Sequence, residues 1–374
     1  MVSMRSIHFT RWTQQLQDSG HEVHWFDILN GGYIKELEWV NQHTGWRYKG
    51  GDFKGRFFLK KNLPGVHKLF ENDVEKTFEK VMNEVQPDVV HSFVMYKCCV
   101  PIFPVMRRNS NCKWIYSSWG SDLFYFRDIP EYRSDLERIL PHIDYMFNDN
   151  KRDHGIAKEL GFKGTFLGAF PGGGGFHLES YQKYIEPLPQ RRTILVKGYQ
   201  GRSGKALEVL EAIVALNDLQ DYDIVVFGAD PEVENAIVEN ELWKERIHQV
   251  HSKQNLLPHT QVIKLMGKSL LYIGNSNSDG MPNTLLEAII MGAFPIQSNP
   301  GGVTEEIITH GLNGLLIQDH TNSQEIKNHI VAALANNSLL EAAFTYNQKL
   351  KEKLEYGKIQ QQVLHCYNQV AEGL

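Results

Sequence analysis

The chain has 374 residues, 42% of them hydrophobic and 22% charged, and a net charge of −5. That length accommodates two domains, each with its own core, and the composition is that of an ordinary soluble globular protein. The net charge gives no electrostatic reason to expect nucleic acid, which usually calls for a basic face, so no nucleic-acid partner is expected.

Helix and strand patterns alternate along the chain. In the first half, helical periodicity covers 9–18, 74–85 and 132–140, and strand patterns cover 21–28, 88–93, 113–118 and 143–147. Residues 45–64 are basic and aromatic, with Arg47, Lys49, Lys54, Arg56, Lys60 and Lys61 against Asp52 alone. Such a mixture suits a lipid interface or a glycan phosphate, and equally an exposed hairpin with scattered charge, so peripheral membrane contact stays open. Ala169-Phe170-Pro171-Gly172-Gly173-Gly174-Gly175 then separates the halves. Four successive glycines lose too much backbone entropy to hold a helix or strand, which predicts a hinge. A phosphate-cradling loop would need an adjacent Lys and a strand–helix frame.

In the second half, strand patterns cover 193–197, 223–228, 247–251 and 270–274, and helical ones 204–216, 231–242 and 258–266. After Ser323 the chain reads as helical, with 349–355 and 358–370 interrupted at Tyr356-Gly357. The fold class is therefore α/β, with two doubly wound domains whose ligands bind at the carboxyl ends of parallel strands.

The most informative stretch runs from Ser278 through Asp279, Gly280, Met281, Pro282, Asn283, Thr284 and Leu285 to Glu287, followed by Met291-Gly292 and Asn299-Pro300-Gly301-Gly302-Val303-Thr304-Glu305. Gly280 and Pro282 open one helix, Gly292 closes it, 293–296 is a short buried strand, and Pro300-Gly301-Gly302 opens a second helix. Two helix N-termini at one sheet edge suit a phosphate or diphosphate. Asp279 and Glu287 would repel phosphate and accept hydrogen bonds from hydroxyls instead. Anion donors beside hydroxyl acceptors fit a nucleotide sugar.

This stretch resembles the signature of the family 4 retaining glycosyltransferases, the bacterial group 1 type with the GT-B fold. Asp279 and Glu287 keep the spacing of the family's two acids, with Asp in place of the first Glu, and Gly280-Met281-Pro282 matches its Gly-x-Pro. The resemblance implies an acceptor-side domain over 1–170, completed by a final helix over 357–374. It implies a donor domain over 176–356 and an interdomain cleft. It implies a sugar transfer from a UDP- or GDP-type nucleotide sugar to a glycan or lipid-linked acceptor, as in surface polysaccharide synthesis. Glu287 would hold the ribose and Asp279 the transferred sugar. Gly280, Met281, Pro282, Asn283 and Thr284 would line the donor.

Lys197-Gly198-Tyr199-Gln200-Gly201-Arg202-Ser203-Gly204-Lys205 follows the first strand of the second half. It resembles the family's diphosphate-binding segment, so Lys197, Arg202 and Lys205 are read as cations for the leaving diphosphate. Ser118-Trp119-Gly120-Ser121-Asp122 resembles the family's His-Gly-x-Asp with Trp119 for His, which places Trp119 near the sugar and Asp122 among the catalytic residues. His8 and Arg11 fall at the start of the first helix, on the acceptor or sugar side. His91 is read as a structural histidine. The loop from His251 to Asn255 stands where the family binds the base. Asp221-Tyr222-Asp223 matches a manganese motif but lies at a strand's amino end, so no metal and no cofactor are expected.

Met1-Val2-Ser3 leaves little room for the central strand with which such a domain opens. Either that strand is very short or the natural chain starts upstream. Cys98, Cys99, Cys112 and Cys366 form no metal spacing and read as reduced thiols. The chain shows no membrane span or signal-peptide pattern. A cytoplasmic protein, possible at the inner membrane face, is expected. Two other readings stand beside transfer: a nucleotide-sugar epimerase, and a non-catalytic GT-B subunit that binds nucleotide or glycan.

Overall fold

The computed structural model describes residues 1–49, 58 and 61–373. Of the basic segment, Asp52, Lys54, Arg56 and Lys60 lie outside the described residues. The chain divides into two compact units, one from Met1 to Gly174 together with the chain from Ile359 onward, the other Gly175–Lys358.

The first unit carries a seven-stranded parallel sheet in the order β3-β2-β1-β4-β5-β6-β7. Its strands are β1 (Val2–Ser3), β2 (His24–Asp27), β3 (Asn41–His43), β4 (Val89–Phe93), β5 (Lys113–Ser118), β6 (Tyr145–Asn148) and β7 (Thr165–Ala169). The second unit carries six parallel strands in the order β10-β9-β8-β11-β12-β13. These are β8 (Thr193–Lys197), β9 (Asp223–Ala229), β10 (Gln249–Ser252), β11 (Ser269–Gly274), β12 (Phe294–Ser298) and β13 (Leu315–Ile317).

Both sheets are covered on two faces, which explains why their strands read as apolar runs rather than as alternating ones. Along β8, Ile194 and Val196 enter one core and Leu195 the other. Along β5, Trp114 and Tyr116 enter one core and Ile115 the other. Successive side chains of a strand leave on opposite faces, so each core is built from alternate residues. Burying an apolar side chain of this size contributes about 1.5–3 kcal/mol relative to exposure.

The central strand β1 is only two residues long, with Val2 pairing Phe26 on one side and Ser92 on the other. The final helix, Tyr356–Glu372, begins after Glu355, so Tyr356 and Gly357 form its first turn rather than a kink. It buries Ile359, Val363, Cys366, Tyr367 and Val370 in the core of the first unit. Trp12 Nε1 donates to the Tyr367 hydroxyl at 3.0 Å, and that hydroxyl lies 2.6 Å from Nδ1 of His91. His91 Nε2 in turn lies 2.8 Å from Ser117 Oγ. The directions close if the Tyr367 hydroxyl donates to Nδ1 and Nε2–H donates to Ser117. Burial holds the His91 imidazole well below its ordinary pKa, as expected for a neutral structural histidine.

The boundary between the two units falls within the glycine run, between Gly174 and Gly175, and the run is closely packed. A Cβ at Gly174, whose φ is +73°, would stand 2.7 Å from the Gln15 side chain, and one at Gly175 would stand 2.5 Å from Cα of Tyr356. These glycines permit close approach that a side chain would block.

Candidate functional site

In the second unit the strand order reverses between β8 and β11. In an open parallel sheet the crevice beyond the carboxyl ends at such a reversal is where ligands bind. Lys197 ends β8, and Asp279 lies in the loop after β11. Across the reversal, Nζ of Lys197 stands 3.6 Å from Oδ2 of Asp279.

The two loops are stitched together. Lys205 N–H donates to Asn275 O at 2.8 Å, Asn275 Nδ2 donates to Lys205 O at 3.2 Å, and Ser278 N–H donates to Arg202 O at 3.3 Å. The segment 198–205 is thereby fixed beside 275–279, by two backbone hydrogen bonds and the Asn275 side chain. Arg202 is exposed on this loop. Lys205, the residue preceding the helix Ala206–Val214, pairs at 3.7 Å with Glu208 in that helix's first turn.

The helix Asn283–Ile290 starts directly after Gly280-Met281-Pro282, and its first backbone N–H groups have no acceptor within the helix. Gly280 N–H is occupied locally, donating to Asp279 Oδ1 at 3.0 Å. Met281 packs against the apolar core, and Thr284 Oγ1 accepts from the Tyr272 hydroxyl at 2.9 Å. Glu287, one turn on, is 4% exposed. Its Oε1 accepts from Nε2 of His259 at 2.7 Å.

The expected second helix N-terminus is absent. Pro300–Gly302 and Thr304–Glu306 are two single 3₁₀ turns with Val303 between them, and Gly301 inside the first has a left-handed φ of +62°. Asn299 Oδ1 accepts from the backbone N–H groups of Thr304 and Glu305 at 3.1 and 3.3 Å. The Thr304 and Glu305 N–H groups expected for an anion there are already engaged.

Sequence reasoning missed His259, Tyr199 and Asp230. The Tyr199 ring lies between Nζ of Lys197 and Nζ of Lys253, at 4.7 and 4.1 Å from its centroid. Asp230 holds Lys253 at 2.8 Å and accepts from Gln200 N–H at 2.9 Å. Tyr199 and Asp230 follow closely on the ends of β8 and β9, which is the signal that could have found them. Asp223, of the Asp-x-Asp match, opens β9 at the amino edge.

In the first unit, His8, Arg11 and Trp119 come together around the glycine segment. A Cβ at Gly173 would lie 3.4 Å from Arg11 Cδ and 3.7 Å from His8 Nδ1, and one at Gly172 would lie 3.4 Å from Trp119. The Trp119 ring packs at 4.6 Å on Phe93 and 6.2 Å from His8. Asp122 departs from its expected role. Its carboxylate is buried, accepting from Met95 N–H at 2.7 Å and from the Tyr116 hydroxyl. It therefore braces the turn after β4, where Val94 takes a left-handed φ of +68°, a conformation costly for a β-branched residue. Burial raises the Asp122 pKa to about 7. Within the basic segment, Arg47 is paired with Glu71 at 2.7 Å. Among the described residues no group of three His, Cys, Asp or Glu side chains could hold a metal ion.

Comparison with known proteins agrees with this architecture. Residues 186–351 match the model of the glycosyl transferases group 1, and residues 1–148 match that of the glycosyl transferase 4-like family. No curated protein matches the chain. Among solved structures, the chain resembles a glycosyltransferase from Rickettsia africae ESF-5 at 15% identity and TM-score 0.68, covering 100% of this chain and 98% of that one. It resembles sucrose-phosphate synthase from Thermosynechococcus elongatus at 14% identity and TM-score 0.74, covering 100% and 99%. It also resembles HepE of Anabaena in complex with UDP and glucose, at 12% identity and TM-score 0.71, covering 98% of each. Two doubly wound units, with the two family models matched one after the other along the chain, identify it as a GT-B protein of the group 1 glycosyltransferases.

Proposed function

We propose that the chain transfers a sugar from a nucleoside-diphosphate sugar to a glycan or lipid-linked acceptor, with retention at the anomeric carbon and without a metal ion. The observation that carries this reading is the Lys197–Asp279 pair at the β8/β11 reversal, beside the N-terminus of the helix Asn283–Ile290. As the glycosidic bond breaks, negative charge accumulates on the departing diphosphate. Lys197, Arg202 and the first N–H groups of that helix supply the compensating positive charge, which does the work of a divalent ion. Asp279 accepts from a hydroxyl of the transferred sugar, and Glu287, oriented by His259, accepts from the ribose. His8, Arg11 and Trp119 serve the acceptor or sugar side. The leaving phosphate takes the acceptor hydroxyl's proton on the same face, so no carboxylate nucleophile is required.

UDP is the first donor base to test, because the HepE structures contain UDP, UDP with glucose, or UDP-glucose. The test is a panel of UDP- and GDP-sugars with glycan and lipid-linked acceptors in excess EDTA, with the anomeric configuration of the product read by NMR. A retained product formed in EDTA supports the reading. An inverted product, or a strict manganese requirement, overturns it. Tight nucleotide-sugar binding with no product from any acceptor assigns the chain to non-catalytic binding.

A further inference from the structure

A second concentration of positive charge lies in the second unit, away from Lys197 and Asp279. A cavity of about 400 Å³ is lined by Lys183, Tyr184, His251, Lys264 and Lys268, with Glu186 the only carboxylate in its wall. Lys197, Arg202, Asp279, His259 and Glu287 do not line it, and of the loop read above as base-binding its first residue, His251, and Leu257 just beyond it do. The helix His259–Lys268 descends from the carboxyl edge of the sheet and leads straight into β11 at Ser269, so Lys264 and Lys268 stand toward the amino edge.

The cations converge. Nζ of Lys183 and Nζ of Lys264 sit 5.1 and 5.2 Å from the centroid of the same Tyr184 ring. Among the described residues, none of the three lysines forms an ion pair with a carboxylate. Nε2 of His251, on the cavity wall, is buried and has no hydrogen-bond partner. Burial, and then the charge of Lys268, hold the His251 imidazole below its ordinary pKa. Like charges gathered without counter-charge repel one another, and an anion placed among them removes that repulsion while gaining charge-assisted hydrogen bonds.

We infer that this cavity is a binding site for a phosphate or diphosphate group, separate from the donor site. Lys183, Lys264 and Lys268 hold its oxygens, with the His251 imidazole on the wall beside them. The group can belong to a free phosphate ester or to a phospholipid headgroup, since both present the same oxygens.

The probe is inorganic pyrophosphate, titrated into the full chain while the His251 imidazole is followed by NMR, its resonance assigned with His251→Gln. Pyrophosphate is expected to shift that resonance and to raise the imidazole pKa, because a nearby anion favours the charged ring. The Lys264→Glu/Lys268→Glu variant should weaken the response about tenfold or more, whereas Lys197→Ala, which alters the donor site, should leave it unchanged. Vesicles of phosphatidylglycerol, with phosphatidylcholine vesicles as control, form the second arm. A response to phosphatidylglycerol alone supports the site and names a lipid headgroup as the source. No His251 response to either probe, or the same response in the double variant, overturns the inference. Folding of the variant is checked by its circular dichroism, and Lys183→Ala provides a milder second substitution with the same expected direction.

Discussion

Lys197 and Asp279 oppose each other at 3.6 Å across the point where the second sheet reverses its strand order. The proposed reaction needs both for a ligand, one for the diphosphate and one for the sugar. Donor binding is therefore expected to part the pair. Lys197→Ala should lower turnover by about 10²–10³, the effect of removing one donor aimed at developing charge, while thermal unfolding changes little. Asp279→Asn should reduce turnover more than nucleotide affinity. Equal losses of both in Asp279→Asn would remove it from the sugar.

Glu287→Ala is expected to weaken nucleotide affinity by about 1.5–3 kcal/mol, as for a charge-assisted hydrogen bond, measured by calorimetry. His259→Ala leaves the carboxylate present but without its 2.7 Å partner, so its loss of affinity should be smaller. A larger effect from His259→Ala would make the histidine, not the acid, the nucleotide ligand.

Asp122 predicts a pH dependence of stability. Its pKa is raised from 3.8 to about 7 by burial, so between these values the folded protein binds a proton that the unfolded chain has lost. Stability from this group is thus complete below about pH 4, falls as pH rises and levels off above about pH 7. Asp122→Asn keeps an acceptor for Met95 and Tyr116 and cannot ionise. The stability of the wild type relative to this variant should therefore fall by on the order of a few kcal/mol from pH 4 to pH 8, read by urea unfolding. Using the variant as reference cancels the opposite trend from His91, whose lowered pKa costs stability as pH falls below about 6.5.

Tyr367→Phe removes the hydroxyl shared by Trp12 and His91 and leaves two buried polar groups unpaired. Each unmade bond of this kind costs about 1–3 kcal/mol. Unfolding of the first unit, followed by Trp fluorescence, should move to lower urea, and an unshifted transition would show that the hydroxyl is not required.

The legible parts of the molecule were those whose cause is local. Strand β8 (Thr193–Lys197) and strand β5 (Lys113–Ser118) are short apolar runs between polar turns, and the helix Val74–Val85 is announced by Asp73, whose side chain accepts from Lys76 N–H. The Asp279 and Glu287 spacing was visible because both acids frame one helix start. What stayed hidden depends on partners distant in sequence. His259 precedes Glu287 by 28 positions. Asp122 looked open beside Gly120, but Met95, from the turn after β4, and Tyr116, on β5, enclose it. Pro300-Gly301-Gly302 had the residues of a helix start, and the Asn299 side chain took the N–H groups instead. The glycines at 172–174 looked flexible because sequence shows their entropy and not the side chains packed against them.

The helix Tyr356–Glu372 gives the chain an order of synthesis. The core of the first unit needs Ile359, Val363, Tyr367 and Val370, and every residue of the second unit precedes them in the chain. During translation the second unit is therefore complete in sequence before the first, whose sheet face around Phe93, Ile115 and Phe147 still lacks part of its cover. That partly covered face is the stretch most in need of protection while the protein is being made.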